Sequence, residues 1–213
     1  MMKLYGYWRS SASYRVRIAL ALKGVEVEHI PVNLRTGEQG QGEHVARNPQ
    51  GYLPVLELED GTQLTQSLAI MDYIDATFRE PALMPSDAVK RSKLLAASLI
   101  IATDIHPIQN LSVLKYIRAE HGQGDAGVKD WAAHWITKGF TALETLVQDH
   151  DTPFLMTQVP SFFECCLIPQ VYNARRFGVE MDQFPKLKAI DVACNTLPPF
   201  IAALPGNQAD APG

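Results

Sequence analysis

Apolar residues recur along the first eighty residues with two different periods. Alternation with a period of two predicts strands at residues 3–7, 26–32, 54–58 and 62–64. Apolar spacings of three and four predict helices at residues 11–23 and 67–77, with a shorter helix ending at Asn48. Gly24 is placed to end the first helix, and Glu59-Asp60-Gly61 is typical of a hairpin turn. The order strand, helix, strand, helix, strand, strand, helix predicts a small α/β domain with a four-stranded mixed sheet.

The pattern changes after the first eighty residues. Two prolines interrupt the stretch from Phe78 to Asp87, which is typical of a linker. Beyond it only helical periodicity is convincing, and it predicts helices at residues 89–119, 131–148, 161–177 and 185–194. We therefore predict an α/β domain at residues 1–80, a linker at 81–86 and an all-α bundle at 87–213. The tail after Pro205 is polar and rich in small residues, so we expect it to be loosely ordered.

Composition and charge narrow the functional classes. The chain of 213 residues is 46 % hydrophobic and carries a net charge of −4. An acidic balance argues against a nucleic-acid partner, because neutralising phosphates needs a basic face. The longest apolar stretches stop well short of the roughly 18 residues of a membrane helix. No leader-like segment opens the chain. We therefore expect a cytoplasmic protein with no membrane partner.

The three cysteines, Cys165, Cys166 and Cys194, follow no metal-binding or CxxC spacing. Adjacent residues on a helix point in different directions, so we interpret Cys165 and Cys166 as small core residues and not as a redox pair. Neither a disulfide framework nor a metal site is predicted.

Two serines stand at the predicted start of the first helix. Arg9-Ser10-Ser11 leads directly into the apolar helical stretch, where a serine is first of all an N-cap. The same place suits chemistry, because a helix N-terminus and a hydroxyl donor both stabilise an anion. A free thiol, with a pKa of about 8.5, is mostly protonated at neutral pH, and such a place favours its thiolate.

Two further stretches of the α/β domain have both a structural and a binding interpretation. Pro54 opens a strand, and a cis bond at Leu53-Pro54 would leave the backbone groups of Leu53 to a ligand; a plain turn into the strand is the alternative. Ser67 would cap the helix after the hairpin. Gln66 and Ser67 at a helix N-terminus would equally suit a carboxylate.

The helical half holds three notable stretches. The run from Thr103 to Asn110 places polar side chains and a proline in an apolar helix, so we expect a bend with either an internal polar contact or a ligand site. Arg175 and Arg176, near a helix end, either face solvent or bind a carboxylate. Ser161-Phe162-Phe163-Glu164 matches a capping box, which we interpret as a signal that starts a helix and not as a catalytic motif.

Taken together, these motifs resemble the zeta class of glutathione transferases, the maleylacetoacetate isomerase family. The resemblance covers nearly the whole chain, and the joint pattern is more specific than any single piece. The matching segments are residues 10–11, 15–24, 48–49, 53–54, 66–70, 107–114, 169–177 and 208–212.

The resemblance implies a thioredoxin-like N-terminal domain that binds glutathione, an all-α C-terminal helical bundle that binds the second substrate, and a homodimer. By the same resemblance, Ser10 would hydrogen-bond the glutathione sulfur, and Ser11 with Arg15 would help to hold it as the thiolate. Leu53, beside Pro54, would pair through its backbone with the cysteinyl unit.

Further roles are implied in the same way. Gln66 with Ser67 would hold the γ-glutamyl carboxylate. Gln39 falls where the family contacts the glycine end of glutathione, with Gln41 as a rival. A second-domain set at the family's domain interface is expected to contribute to cofactor binding: His106, Asn110, Leu111 and Ser112. Arg9 and Arg176 are the candidates for binding the carboxylates of a small dicarboxylate enone substrate.

The implied function is glutathione-dependent cis–trans isomerisation of maleylacetoacetate to fumarylacetoacetate in aromatic catabolism. The thiolate would add reversibly to the cis double bond. Alternatives are the same reaction on maleylpyruvate, glutathione transfer to small α-halo acids, or a binding module without turnover. A thiol oxidoreductase is least favoured, because no cysteine lies near the first helix. Two departures stand out: Ala12 replaces the family's usual cysteine, and Glu164 its usual aspartate.

Overall fold

The computed structural model describes residues 1–148 and 152–212 of the chain. It divides into two compact units, Met1–Leu83 with Asn195–Gly213, and Met84–Cys194. The division differs from the predicted one at the C-terminus. There the last helix, α9 (Pro198–Ala203), packs against α1 (Ser11–Leu22) of the first unit.

The first unit is built on one mixed sheet. Its strands are β1 (Lys3–Gly6), β2 (Glu28–Pro31), β3 (Val55–Glu57) and β4 (Gln63–Thr65). They lie in the order β2-β1-β3-β4, with β1 and β2 parallel and the other two pairs antiparallel. Leu4 pairs with His29 on one side and with Leu56 on the other. The predicted four-stranded mixed sheet is confirmed.

Helix α1 is the central helix of this unit, which also holds α2 (Gly42–Arg47) and α3 (Ser67–Thr77). All residues from Ser11 to Leu20 are buried, two arginines included. The helix ends as predicted at Gly24, whose φ of 64° is left-handed. That conformation lets the Val25 amide reach the Leu20 carbonyl at 3.0 Å and the Gly24 amide reach Ala21 at 3.1 Å.

The described residues of the second unit form helices and no strand, as predicted, apart from one isolated β-bridge between Phe154 and Thr157. Its helices are α4 (Ala88–Leu99), α5 (Leu111–Glu120), α6 (Asp125–Val147), α7 (Phe162–Arg176) and α8 (Pro185–Cys194). Helix α7 is buried from Phe162 to Val171 and packs against α4 and α8. On α6 the fully buried Phe140 meets Phe184 edge to face, with ring centroids 5.5 Å apart.

The predicted helix at residues 89–119 is wrong as a single bent helix. A π-helical stretch (Ile100–Ile105) and a 3-10 turn (Pro107–Gln109) separate α4 from α5. The His106 amide reaches back five residues to the Ile101 carbonyl at 2.9 Å, and Pro107 has no amide to continue the helical ladder. Helix α6 also starts earlier than the predicted residue 131, with Asp125 in its first turn.

Among the described residues, one helical run has the length and composition of a membrane span. It is Ala88–Glu120, with a mean hydropathy of 1.2. The run is divided by the π-helical and 3-10 segments, and Leu94, Ile101 and Ile105 are buried in the second unit. Core helices of globular proteins often have the same composition, so the run is weak evidence for a membrane.

The expectation of a loosely ordered tail is wrong for the described residues. A 3-10 turn (Pro205–Asn207) follows α9. The Gln208 side chain then donates to the carbonyls of Ala202 at 3.0 Å and Leu204 at 2.9 Å. Composition alone did not reveal these contacts, because their partners are backbone groups.

The capping box at the start of α7 is confirmed. Ser161 Oγ accepts from the Phe163 amide at 3.2 Å, and Glu164 Oε2 accepts from the Ser161 amide at 2.8 Å. Glu164 Oε1 also accepts from the Leu155 amide at 2.8 Å. Glutamate therefore performs the capping role in this chain and ties the preceding loop to the helix.

Candidate functional site

Helix α1 begins at Ser10, whose hydroxyl accepts one hydrogen bond and can also donate one. Ser10 is half-buried at the N-cap position, where its Oγ accepts from the Ser13 amide at 3.2 Å. A hydroxyl has one hydrogen to donate as well as two lone pairs. Within residues 1–148 and 152–212, no acceptor takes the hydrogen of the Ser10 hydroxyl. Ser10 can therefore cap the helix and still donate to a bound group at the positive end of α1.

A buried arginine joins the starts of α1 and α3. The Arg15 side chain is 2 % exposed, and its Nη1 donates to Ser67 Oγ at 3.2 Å. Ser67 is the first residue of α3 and is itself buried. A guanidinium at a helix N-terminus adds its charge to the helix dipole. This arrangement is well suited to binding a carboxylate.

The interpretation of Ser67 as an N-cap is wrong. Gln66 occupies the N-cap position of α3, and its side chain makes no capping bond. The Ser67 hydroxyl is bonded to Arg15 instead. Gln66 has φ 67° and ψ 112°, which is unusual for a residue other than glycine. Its side chain is exposed and donates to Gln50 Oε1 at 2.7 Å.

The bond between Leu53 and Pro54 is cis, the condition under which the sequence predicted backbone groups free for a ligand. In the part of the chain that the structure describes, no hydrogen bond involves the amide or carbonyl of Leu53. The Leu53 side chain packs in a core with Tyr5, Tyr7 and Val55, so the residue is firmly placed. An extended peptide can pair with these backbone groups as a strand would.

Two buried side chains hold the residue before Leu53. The Tyr52 carbonyl accepts from His44 Nε2 and from Asn48 Nδ2, each at 2.9 Å. His44 and Asn48 are both buried. Asn48 belongs to a motif noted in the sequence, but His44 gave no signal beyond a lone histidine on a short helix.

The loop that carries Gln39 lies against the same segment. Gln39 is half-buried in a 3-10 turn (Glu38–Gly40), whereas Gln41 is exposed. Gly51 has φ 64°, and a Cβ there would lie 3.1 Å from the Gln39 carbonyl oxygen. Only glycine fits this approach without a shift of the loop. The structure thus brings Gln39 beside the segment that precedes Leu53.

Arg9 precedes the two serines and Arg17 follows them within α1, and the two arginines differ strongly in burial. The half-buried Arg9 guanidinium stacks over the Trp8 ring, 5.3 Å from its centroid. Arg17 is buried, and burial lowers its pKa to about 10, against the opposing effects of Tyr14 and Asp210. Arg17 therefore remains a cation at neutral pH. Its role was not predicted from the sequence.

The second unit holds the other predicted residues. Asn110 is the N-cap of α5, and its Oδ1 accepts from the Val113 amide at 3.0 Å and from Ser112 Oγ at 2.7 Å. Leu111 and Ser112 are exposed, and His106 is half-buried. The four residues therefore lie together where the 3-10 turn meets α5.

The two neighbouring arginines of α7 are distinguished by their partners. Arg175 Nη2 donates to the buried Asp191 at 2.5 Å, which gives it a structural role. The exposed Arg176 stacks over the Phe177 ring, 4.4 Å from its centroid. The sequence alone did not separate these two residues.

The chain's own thiols lie in the second unit. Cys165, Cys166 and Cys194 form no disulfide and are buried, which confirms the interpretation of the first two as core residues. Burial raises the pKa of the Cys194 thiol, with Glu164 and Asp191 adding to the rise. Ala12 is buried beside Ser11 in α1. The first unit thus combines anion-stabilising groups with no thiol of its own.

Comparisons with known proteins agree with this architecture. The model of the glutathione S-transferase N-terminal domain matches residues 1–76. The maleylacetoacetate isomerase of Pseudomonas aeruginosa is 40 % identical over 213 residues, which is 99 % of each chain. The maleylpyruvate isomerase of a Ralstonia species is also 40 % identical, across 99 % of this chain and 100 % of that one.

A solved structure extends the comparison. The maleylacetoacetate isomerase of Anaeromyxobacter dehalogenans, with glutathione bound in its active site, is 42 % identical and superposes with a TM-score of 0.90. The match covers 100 % of this chain and 98 % of that one. The fold, the matching family model and these relatives place the chain among the glutathione transferases. Within them, it belongs to the zeta class, the maleylacetoacetate isomerase family. The predicted fold class and the resemblance are both confirmed.

Proposed function

We propose that this chain is a glutathione-dependent cis–trans isomerase that converts maleylacetoacetate to fumarylacetoacetate. The observation that carries the proposal is the Ser10 hydroxyl, which caps α1 and has no acceptor for its hydrogen among the described residues. The names of the relatives support the substrate class. The absence of a cysteine from residues 1–164 supports an external thiol.

The residues of the first unit fit glutathione along its length. The buried Arg15 and the N-terminus of α3 at Ser67 would take the γ-glutamyl carboxylate together with Gln66. The unpaired backbone of Leu53 would pair with the cysteinyl unit. Gln39, beside Gly51, would contact the glycine end. Each part of the peptide thus has a chemically matching group.

Bound glutathione supplies a thiolate that adds to the cis double bond, permits rotation and leaves. Ser10 would donate its hydroxyl hydrogen to the sulfur and thereby stabilise the anion. Ser11, the first residue of α1, would add the positive end of the helix. Arg15 would contribute a buried positive charge in the same unit. Together these groups lower the cost of the thiolate at neutral pH.

The carboxylates of the substrate would be bound by Arg9 and Arg176. Each guanidinium is stacked over an aromatic ring, which orients its planar fork. Arg176 is ranked above Arg175 by the family resemblance, and Arg175 donates to Asp191. By the family resemblance, His106, Asn110, Leu111 and Ser112 would contribute to cofactor binding. Binding at both carboxylates would hold the enone for attack and stabilise negative charge that develops on it.

Maleylpyruvate is the second candidate substrate. A Ralstonia maleylpyruvate isomerase is as similar to this chain as the Pseudomonas maleylacetoacetate isomerase, at 40 % identity each. Both substrates carry a cis double bond between carbonyl groups, so the same residues would serve either one. We rank it second on the family resemblance alone, because the run Asn110-Leu111-Ser112 resembles the maleylacetoacetate enzymes more.

A substrate comparison tests this proposal. We expect turnover of maleylacetoacetate with glutathione, at a higher kcat/KM than for maleylpyruvate. Arg9→Leu and Arg176→Leu should raise KM for the enone and leave glutathione affinity unchanged. The reverse order of kcat/KM would identify a maleylpyruvate isomerase. If neither enone is consumed, the remaining candidate functions are a binding module without turnover or a different transferase reaction.

We also propose a homodimer, as the family resemblance implies, and a location in the cytoplasm. Analytical ultracentrifugation should give twice the mass of one chain. A species of single-chain mass at micromolar concentration would contradict the dimer.

A further inference from the structure

The C-terminal segment, from α9 to Asp210, holds the loop that leads into Ser10 through hydrogen bonds. The carboxylate of Asp210 accepts from the Trp8 amide at 2.9 Å. Asp210 and Trp8 are 202 positions apart in sequence and lie in the same unit. One residue after Trp8 comes Arg9, and the next is Ser10. A terminal residue thus fixes the backbone at the entrance to α1.

Arg17 holds the same loop through its carbonyl groups, whereas Asp210 holds it through an amide. Its Nη2 donates to the Trp8 carbonyl at 2.9 Å, and its Nη1 to the Tyr7 carbonyl at 3.5 Å. Its Nε donates to the Ala203 carbonyl of α9 at 3.2 Å. Arg17 therefore joins the loop to the C-terminal segment, and Asp210 attracts its charge.

The loop and the N-cap are directly connected. The Ser10 amide donates to the Tyr7 carbonyl at 2.9 Å, so Tyr7 receives hydrogen bonds from both Ser10 and Arg17. The peptide between Tyr7 and Trp8 is thus held at both its N–H and its C=O, and the next peptide is held at its C=O by Arg17. Few conformations of Arg9 and Ser10 satisfy all of these bonds at once.

We propose that Asp210 is a positioning residue for the reaction: through the Trp8 amide it sets the direction of the Ser10 hydroxyl and of the Arg9 guanidinium. This inference rests on the proposed function, because the Ser10 hydroxyl must face the glutathione sulfur. Asp210 itself would touch neither glutathione nor the enone. Its effect would be on the thiolate and on turnover, and not on the binding of glutathione as such.

The test compares Asp210→Ala with Asp210→Asn. Alanine removes the acceptor for the Trp8 amide, whereas asparagine keeps an oxygen in its place. Thiolate absorbance in the ultraviolet, followed against pH, gives the pKa of bound glutathione. We expect Asp210→Ala to raise that pKa towards the value of free glutathione and to lower kcat about tenfold at neutral pH. Asp210→Asn should restore most of both. Asp182→Ala, which removes an exposed carboxylate paired with Lys188 in the second unit, is the matched control.

Binding of S-methylglutathione separates positioning from general damage. This ligand has no thiol to ionise, so its affinity for Asp210→Ala should stay within about twofold of the parent. A parallel loss of S-methylglutathione affinity would overturn the inference, as would a parent-like thiol pKa and kcat in Asp210→Ala. An Asp210→Asn variant as slow as Asp210→Ala would also contradict it.

Hydrogen exchange keeps this test independent of the proposed function. The amides of Trp8 and Ser10 should exchange faster in Asp210→Ala than in the parent, whatever the chain catalyses. Unchanged exchange rates of these two amides would show that Asp210 does not hold the loop. If glutathione bound to the unsubstituted protein keeps the thiol pKa of free glutathione, the proposed function is refuted. The hydrogen-exchange result would still hold in that case.

Discussion

Replacing Ser10 by alanine should lower turnover about 100-fold, the loss typical of removing one donor to a reactive anion. The substitution also removes the N-cap of α1, because Ser10 Oγ accepts from the Ser13 amide. We expect that second effect to cost about 1 kcal/mol of unfolding free energy. Steady-state kinetics with saturating glutathione, alongside urea unfolding, measures both effects on the same variant.

Two further variants at Ser10 separate the cap from the chemistry. Ser10→Thr keeps the cap and the donor, so its turnover should stay within about tenfold of the parent. Ser10→Asp keeps a cap oxygen but has no hydrogen to donate when ionised, and its charge repels a thiolate. We expect it to be stable and at least as slow as Ser10→Ala. A parent-like rate for Ser10→Ala would move the donor role to Ser11.

Replacing Glu164 by alanine should lower the unfolding free energy by about 3 kcal/mol. Glu164 is fully buried and accepts from the amides of Leu155 and Ser161 and from the Ser161 hydroxyl. Alanine would leave these donors without an acceptor and open a cavity in the second unit. Chemical unfolding followed by circular dichroism measures the loss. Activity at a temperature where the variant stays folded should be close to that of the parent.

Glu144 provides the matched control for Glu164. Its carboxylate also caps a helix, accepting from the amides of Lys186 and Leu187 at 2.7 Å and 3.0 Å, but it is only half-buried. Water can replace a carboxylate at such a site, so Glu144→Ala should cost about 1 kcal/mol. Glu164→Asp should fall between the parent and alanine, because a shorter side chain does not span both Leu155 and Ser161. Equal losses for Glu144→Ala and Glu164→Ala would contradict the role of burial.

Local features of the fold were predictable because their signals are local. Gly24 ends α1 through its own φ, and the capping box at Ser161 spans four consecutive positions. The strand pattern around the hairpin likewise depends on neighbouring residues. Such elements carry their physical cause in a short stretch of sequence.

Contacts made by distant residues were not predictable in the same way. Ser67 had the type and place of an N-cap, but Arg15, 52 positions earlier, bonds its hydroxyl. Asp210 lies in a tail of polar and small residues that resembles a disordered end, yet it binds the Trp8 amide. The π-helical stretch before Pro107 depends on a register change that apolar spacing does not reveal.

Candidate site residues came from the sequence in part by resemblance and in part by chemistry. The serine pair and Leu53-Pro54 had physical interpretations of their own. Arg176 was separated from Arg175 only by resemblance until the structure paired Arg175 with Asp191. His44 and Gln50, which hold the segments around Leu53 and Gln66, carry no signal that distinguishes them from ordinary polar residues.

The most direct measurement replaces glutathione by S-methylglutathione in the isomerisation assay. S-methylglutathione offers the same carboxylates and backbone to Arg15, Ser67 and Leu53 but has no thiolate. We predict no isomerisation above the uncatalysed rate, and competitive inhibition when glutathione is also present. Isomerisation of maleylacetoacetate with S-methylglutathione at a rate near that with glutathione would contradict the proposed mechanism.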